Sequence, residues 1–183
     1  MRKAVIVLVL VAIVGAGVAL VVTSRPDLDK TRDATATAWT PLVVPLNARY
    51  GALSTLVSQF DATLAAAGEK NADLQGLKGA LVRWTFAAKS TDAKNMVEAA
   101  DDLEARVGQL QAVLGSSARL TQTPTVVQAK DAFDKTTAPA ILVTRYNEAV
   151  RKYQRTREST ARRLVAELFG YGPIETFEPS LTL

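Results

Sequence analysis

The sequence predicts an all-α protein: an N-terminal transmembrane helix followed by an elongated antiparallel four-helix bundle with long first and last helices. Three observations predict it. An apolar run without a single charge occupies residues 4–22. Beyond it, apolar residues recur at spacings of three, four and seven, which lines one face of a helix. No segment of useful length alternates with period two, and a composition rich in alanine and poor in glycine favours helix over strand.

The apolar run has 19 residues. About 20 residues at a rise of 1.5 Å cross the hydrocarbon core, so the run fits a membrane span. Gly17-Val18-Ala19 offers the small residues a signal peptidase needs, but Leu20-Val21-Val22 carry the apolar character past that point. Span length therefore favours a retained anchor over residues 1–24, with the bundle over 25–183. There is no cysteine, so lipoprotein anchoring is excluded. Arg2 and Lys3 directly before the run resemble a signal anchor and place the bundle outside the cytoplasm, although Arg25, Lys30 and Arg32 on the other side argue the opposite way.

The first helix of the bundle carries Trp39, Leu42, Leu46, Leu53, Val57, Phe60 and Leu64 on one face. Gly68 ends it, before the polar turn Glu69-Lys70-Asn71. The second carries Leu74, Leu77, Leu81, Trp84 and Ala88. Ser90-Thr91-Asp92 reads as the N-terminal cap of the third. Met96, Ala100, Leu103, Val107, Leu110 and Leu114 give that helix a coiled-coil type seam, broken by Gly115-Ser116-Ser117. Thr123-Pro124, a cap followed by a first-turn proline, opens the fourth. Its face holds Val126, Ala129, Phe133, Ala140, Val143, Tyr146, Val150 and Tyr153. Pro41 and Pro45 in the first helix and Pro139 in the fourth predict kinks, because each removes a backbone donor.

The chain of 183 residues has no histidine and no cysteine. Disulfides, Cys/His zinc sites, histidine-ligated haem, thiol nucleophiles and Ser-His-Asp triads are thereby excluded. Net charge is +4, and much of the excess lies between residues 145 and 163, in Arg145, Arg151, Lys152, Arg155, Arg157, Arg162 and Arg163. That stretch reads as a solvated helix face; anionic lipid or nucleic acid is the alternative. Asp101, Asp102 and Glu104 also read as a solvated face, since neighbouring carboxylates on a helix diverge and a hard-metal cage needs converging oxygens.

Two segments carry a family resemblance. The first is Tyr146-Asn147-Glu148-Ala149-Val150 within a basic amphipathic helix. The second is the close Leu164-Val165-Ala166-Glu167-Leu168-Phe169-Gly170. Together they resemble the C-terminal signature of the LemA family of bacterial membrane-anchored helical proteins. Asp33-Ala34-Thr35-Ala36-Thr37-Ala38-Trp39 and Asn47-Ala48-Arg49-Tyr50-Gly51-Ala52-Leu53 resemble parts of that family's first helix. The chain departs from the pattern at Pro41 and Pro45. It also lacks a proline over 157–163, so the fourth helix is expected to run unbroken to Phe169 and stop at Gly170. The resemblance implies a divergent member, and it marks no active site.

The expected function follows. No catalytic, cofactor-binding or metal-binding residue is singled out, and no cofactor is implied. The chain reads as a non-enzymatic, single-pass protein of the cell envelope, held in the bilayer through residues 4–22. It would act as a scaffold or interaction module for a protein partner or for copies of itself, with no nucleic acid expected. The alternative is an envelope sensor with a small-ligand pocket of converging polar groups near Trp84 or Tyr146. Around Tyr146, Asn147 and Glu148, seam packing and a Glu148–Lys152 pair at i, i+4 account for the residue types without a ligand.

Overall fold

The computed structural model describes residues 2–90 and 92–180, without the side chains of residues 2–14, 16, 17, 116, 160 and 161. Every regular element among them is helical: α1 (Arg2–Ala66), α2 (Ala72–Ala87), α3 (Ala93–Ser116), α4 (Ala118–Gln122), α5 (Pro124–Asp134), α6 (Ala140–Glu158) and α7 (Thr160–Phe169). The all-α class is therefore correct. Among the described residues no helix is long and apolar enough to cross a membrane. The anchor expected over residues 4–22 falls mostly on positions whose side chains lie outside the description.

Helix α1 continues through Pro26, Pro41 and Pro45. A proline in a helix frees the carbonyl four residues back. Here those carbonyls belong to Val22, Thr37 and Pro41, all exposed residues, where solvent can satisfy them. Gly68, at φ 72°, ends the helix as expected: the Glu69 N–H donates back to the Leu64 carbonyl at 2.9 Å. Asn71 then caps α2, its side-chain oxygen accepting from Asp73 N and Leu74 N. Asp92 caps α3 in the same way through Lys94 N. Thr123 precedes Pro124 at the start of α5, but its hydroxyl donates to the Arg119 carbonyl of α4 instead of capping.

The fourth helix is not the single element expected. It breaks over residues 135–139 and again at Ser159. Pro139 does not kink a helix interior: it stands just before α6, where its carbonyl accepts from Leu142 N and Val143 N. Ser159 has extended backbone (φ −62°, ψ 135°), so α7 is a separate helix rather than the end of α6. Gly170 stops α7 in the left-handed region, and Tyr171 N donates to the Ala166 carbonyl at 2.9 Å. Beyond it, residues 171–180 form a non-helical tail.

The chain forms two compact units. The first combines Met1–Thr37 with Asn147–Thr176, the second Ala38–Tyr146 with Phe177–Leu183. In the first, Leu28 of α1, Val165 and Ala166 of α7 and Tyr171 of the tail make a buried cluster, with Leu20 and Val21 packed against it. Ser24, Thr31 and Thr35 are also buried on α1. Thr31 and Thr35 donate to carbonyls of their own helix three or four residues back, which makes their burial tolerable. Helix α6 holds the tail: Tyr153 Oη donates to the Gly172 carbonyl at 2.7 Å, Gln154 Nε2 to Ile174 O and Arg157 Nε to Tyr171 O, both at 2.9 Å.

In the second unit the expected stripes are the core. Trp39, Leu42, Leu46, Leu53, Val57, Phe60 and Leu64 are all buried, as are Met96, Ala100, Leu103, Val107, Leu110 and Leu114. Phe177 of the tail is fully buried there, edge-on to Trp39 at 5.3 Å between ring centres, and Tyr146 meets Trp39 edge-on at 4.9 Å. Among the described residues the indole N–H of Trp39 has no hydrogen-bond partner.

Candidate functional site

The second unit holds a buried charge network that local sequence does not announce. Arg49 of α1 is 0 % exposed. Its Nε donates to Glu104 Oε1 at 2.9 Å and its Nη2 to Oε2 at 3.1 Å, the forked geometry that guanidinium and carboxylate share. Nη1 donates to the Thr136 carbonyl at 2.9 Å, and Nη2 also reaches the Ser180 carbonyl at 2.7 Å and its Oγ at 3.1 Å. The Phe133 ring lies 4.3 Å from the guanidinium carbon, within cation–π range. Glu104 accepts in addition from Ser180 N at 2.9 Å and from the Ser180 hydroxyl. One ion pair thus ties α1, α3, the turn after α5 and the tail together.

This corrects the reading of Asp101, Asp102 and Glu104 as a solvated face. Glu104 is buried on Arg49, and Asp102 accepts from Arg83 Nη2 and from Arg106 Nε, the latter at 2.9 Å. Partial burial opposes ionisation of Asp102, but its two arginine partners outweigh it and hold the carboxyl below its ordinary value. The signal that could have found the network is an arginine on the apolar stripe: Leu42, Leu46, Arg49 and Leu53 fall at spacings of four, three and four.

Beside the network runs an open groove of about 640 Å³ formed by α1 and α2. Asn47, Gly51, Ser54 and Ser58 come from α1, and Lys78, Val82 and Trp84 from α2, with Lys89 just past its end. Trp84 is fixed twice. Its indole N–H donates to Asn47 Oδ1 at 3.0 Å, and its ring meets Tyr50 edge-on at 4.8 Å. Tyr50 is buried, its hydroxyl directed at the Ala100 carbonyl, 3.4 Å away. Burial, with the Glu104 carboxylate close by, pushes its phenol far above the ordinary range. The groove's polar groups are hydroxyls, an amide and two ammonium groups; Lys78 Nζ is paired with Asp61 Oδ2 at 2.7 Å, and the Ser58 and Thr85 hydroxyls donate to carbonyls of their own helices. Such a surface offers an occupant chiefly the Lys89 ammonium.

A groove of mixed polar and apolar lining therefore lies at Trp84. Around the tail signature the residues serve packing: Tyr146, Val150 and Tyr153 are buried. Glu148 and Lys152 are both exposed, and no ion pair joins them. Arg157, Arg162 and Arg163 of the basic stretch bind within the first unit, to Tyr171 O, Asp27 and Glu167 respectively. Among the described residues no group of three or more acidic side chains could hold a metal ion. No protein-family model matches the chain, and no curated protein matches it.

Proposed function

We propose that the chain is a non-enzymatic, membrane-anchored helical protein of the bacterial cell envelope, LemA-like, acting as a scaffold that receives a protein partner. Residues 4–22 supply the anchor, and a bundle-type helical domain presents the binding surface outside the cytoplasm. The observation that carries this reading is the groove along α1 and α2. It is lined by small residues at Gly51, Ser54 and Ser58, and carries Lys89 and the Asp61-paired Lys78. A partner helix with an acidic residue facing Lys89 suits such a trough, because small side chains let a backbone approach closely and the ammonium favours a carboxylate.

A photo-crosslinker at Ser54 in intact membranes tests it. The expected result is a discrete protein adduct that disappears in Gly51→Leu. A Cβ at Gly51 meets nothing within 4 Å, so this variant fills the trough without disturbing the fold. A chain that stays strictly monomeric and captures nothing overturns the proposal. The same groove supports a second reading, an envelope sensor for a small anionic ligand, through the Lys89 ammonium and the fixed indole. Trp84 fluorescence that responds to a small-molecule extract, while Ser54 crosslinks no protein, favours that reading over the first.

A further inference from the structure

Helix α7 buries Val165 and Ala166 but leaves apolar side chains uncovered: Leu164 is 58 %, Leu168 77 % and Phe169 46 % exposed. Leu164 and Leu168, one turn apart, make an apolar patch on one flank of the buried Val165, with Phe169 on its other flank, and the patch calls for an occupant. Its place in the first unit identifies one. Both ends of α7 reach the same short stretch of α1: Arg162 binds Asp27, and Phe169 lies 5.2 Å from the Arg25 guanidinium carbon. Leu20 and Val21, the last turn of the apolar run, pack against the cluster that holds Val165 and Ala166. Val18 and Val22 of that turn are themselves exposed. The uncovered face of α7 therefore stands where the apolar run gives way to charged sequence.

We infer that α7 is an interfacial helix, whose Leu164, Leu168 and Phe169 enter the headgroup and upper acyl region of the bilayer beside the end of the apolar run. The inference rests on reading residues 4–22 as a membrane anchor. Charge agrees with a lipid occupant. The first unit has 11 basic against 7 acidic residues, whereas the second balances 11 against 11, so the whole net charge of +4 lies in the unit that holds the apolar run. Without Arg2 and Lys3, which precede the run, nine basic residues still face seven acidic ones. That excess is small, so apolar contact carries most of the attachment and anionic headgroups add a modest increment.

The chain contains no cysteine, so a single introduced thiol reports one position cleanly. The full-length protein is reconstituted in vesicles of zwitterionic lipid with and without a fifth of anionic lipid. A bimane label is placed in turn at Leu168→Cys, at Arg163→Cys on the opposite flank of α7, and at Ala12→Cys in the apolar run. Lipids brominated near the glycerol should quench the label at 168 roughly threefold more than the label at 163, as an interfacial helix requires. A label at 168 that aqueous iodide quenches as readily as at 163, while the label at 12 is in lipid, overturns the interfacial helix and leaves the anchor standing. Labels at 12 and 168 that both remain in water remove the anchor reading as well. A label at 168 shielded from iodide and from brominated lipid alike assigns the patch to a protein or a second copy and overturns the lipid assignment.

Discussion

Replacing Glu104 with alanine removes the carboxylate that receives both forks of Arg49. The guanidinium keeps the Thr136 and Ser180 carbonyls, but it becomes an unpaired charge at 0 % exposure. Ser180 loses its hold as well, because its N–H and hydroxyl both donate to Glu104. Breaking a buried pair from one side costs about 3–5 kcal/mol, a large part of the 5–15 kcal/mol that typically holds a folded domain. For a chain of this length the melting temperature should fall by roughly 6–20 °C. The double variant Arg49→Met/Glu104→Leu removes both charges and should recover most of the loss, since apolar replacements of a buried pair are often neutral. Urea unfolding of the full chain in detergent micelles, followed by tryptophan fluorescence, measures both, because Trp39 and Trp84 lie in the same unit as the pair. A single variant within about 1 kcal/mol of wild type would refute the reasoning, as would a double variant no better than the single, since breaking a buried pair from one side should cost several times more.

Other outcomes follow from the same structure. Tyr50 keeps its proton in the folded state while the unfolded chain loses it above pH 10, so stability should fall as pH rises past that value. Tyrosinate absorbance should then appear together with unfolding, and a phenol titrating freely in the folded protein contradicts this. Asp102 has a folded value below its ordinary 3.8, so its contribution is present above that pH and fades as pH falls below it. Because the Arg83–Asp102 pair is half exposed, Asp102→Asn should cost no more than about 1 kcal/mol at neutral pH, far less than Glu104→Ala. Gly51→Ala should stabilise by about 0.5–1 kcal/mol, as a helical glycine with open space. Gly170→Ala should destabilise by about 1–2 kcal/mol, because φ there is 72°. Equal effects in the two glycine variants would contradict the assigned backbone.

What the sequence made legible was periodic or terminal. The stripes of the first three helices and the stop at Gly68 follow from local rules, and so do the cap at Asp92 and the first-turn proline at Pro124. What it hid depends on partners far away in the chain. Residues 135–139 break the fourth stripe without breaking its apolar period, so spacing alone joined α5 to α6. The tail has no period at all, and nothing local marks Phe177 as core or Ser180 as a donor. Arg49 and Glu104 lie 55 residues apart, so although Arg49 stands out on its apolar stripe, nothing local names Glu104 as its partner. The groove was foreseen only as a neighbourhood of Trp84. Its trough shape depends on Gly51, Ser54 and Ser58 lying alongside Lys78 and Val82, which a one-dimensional reading does not place together.

The clasp of Ser180 on Arg49 also sets an order of events in time. Arg49 leaves the ribosome 131 residues before the group that closes its coordination. Until the tail arrives, the guanidinium and Glu104 can pair but cannot be sealed, and Trp39 lacks the Phe177 ring against which it packs. Contacts so distant in sequence form late and slowly. The second unit should therefore remain loosely closed through most of synthesis. A nascent chain halted before residue 177 should be open to protease between α1 and α3, and extension past 180 should close that window.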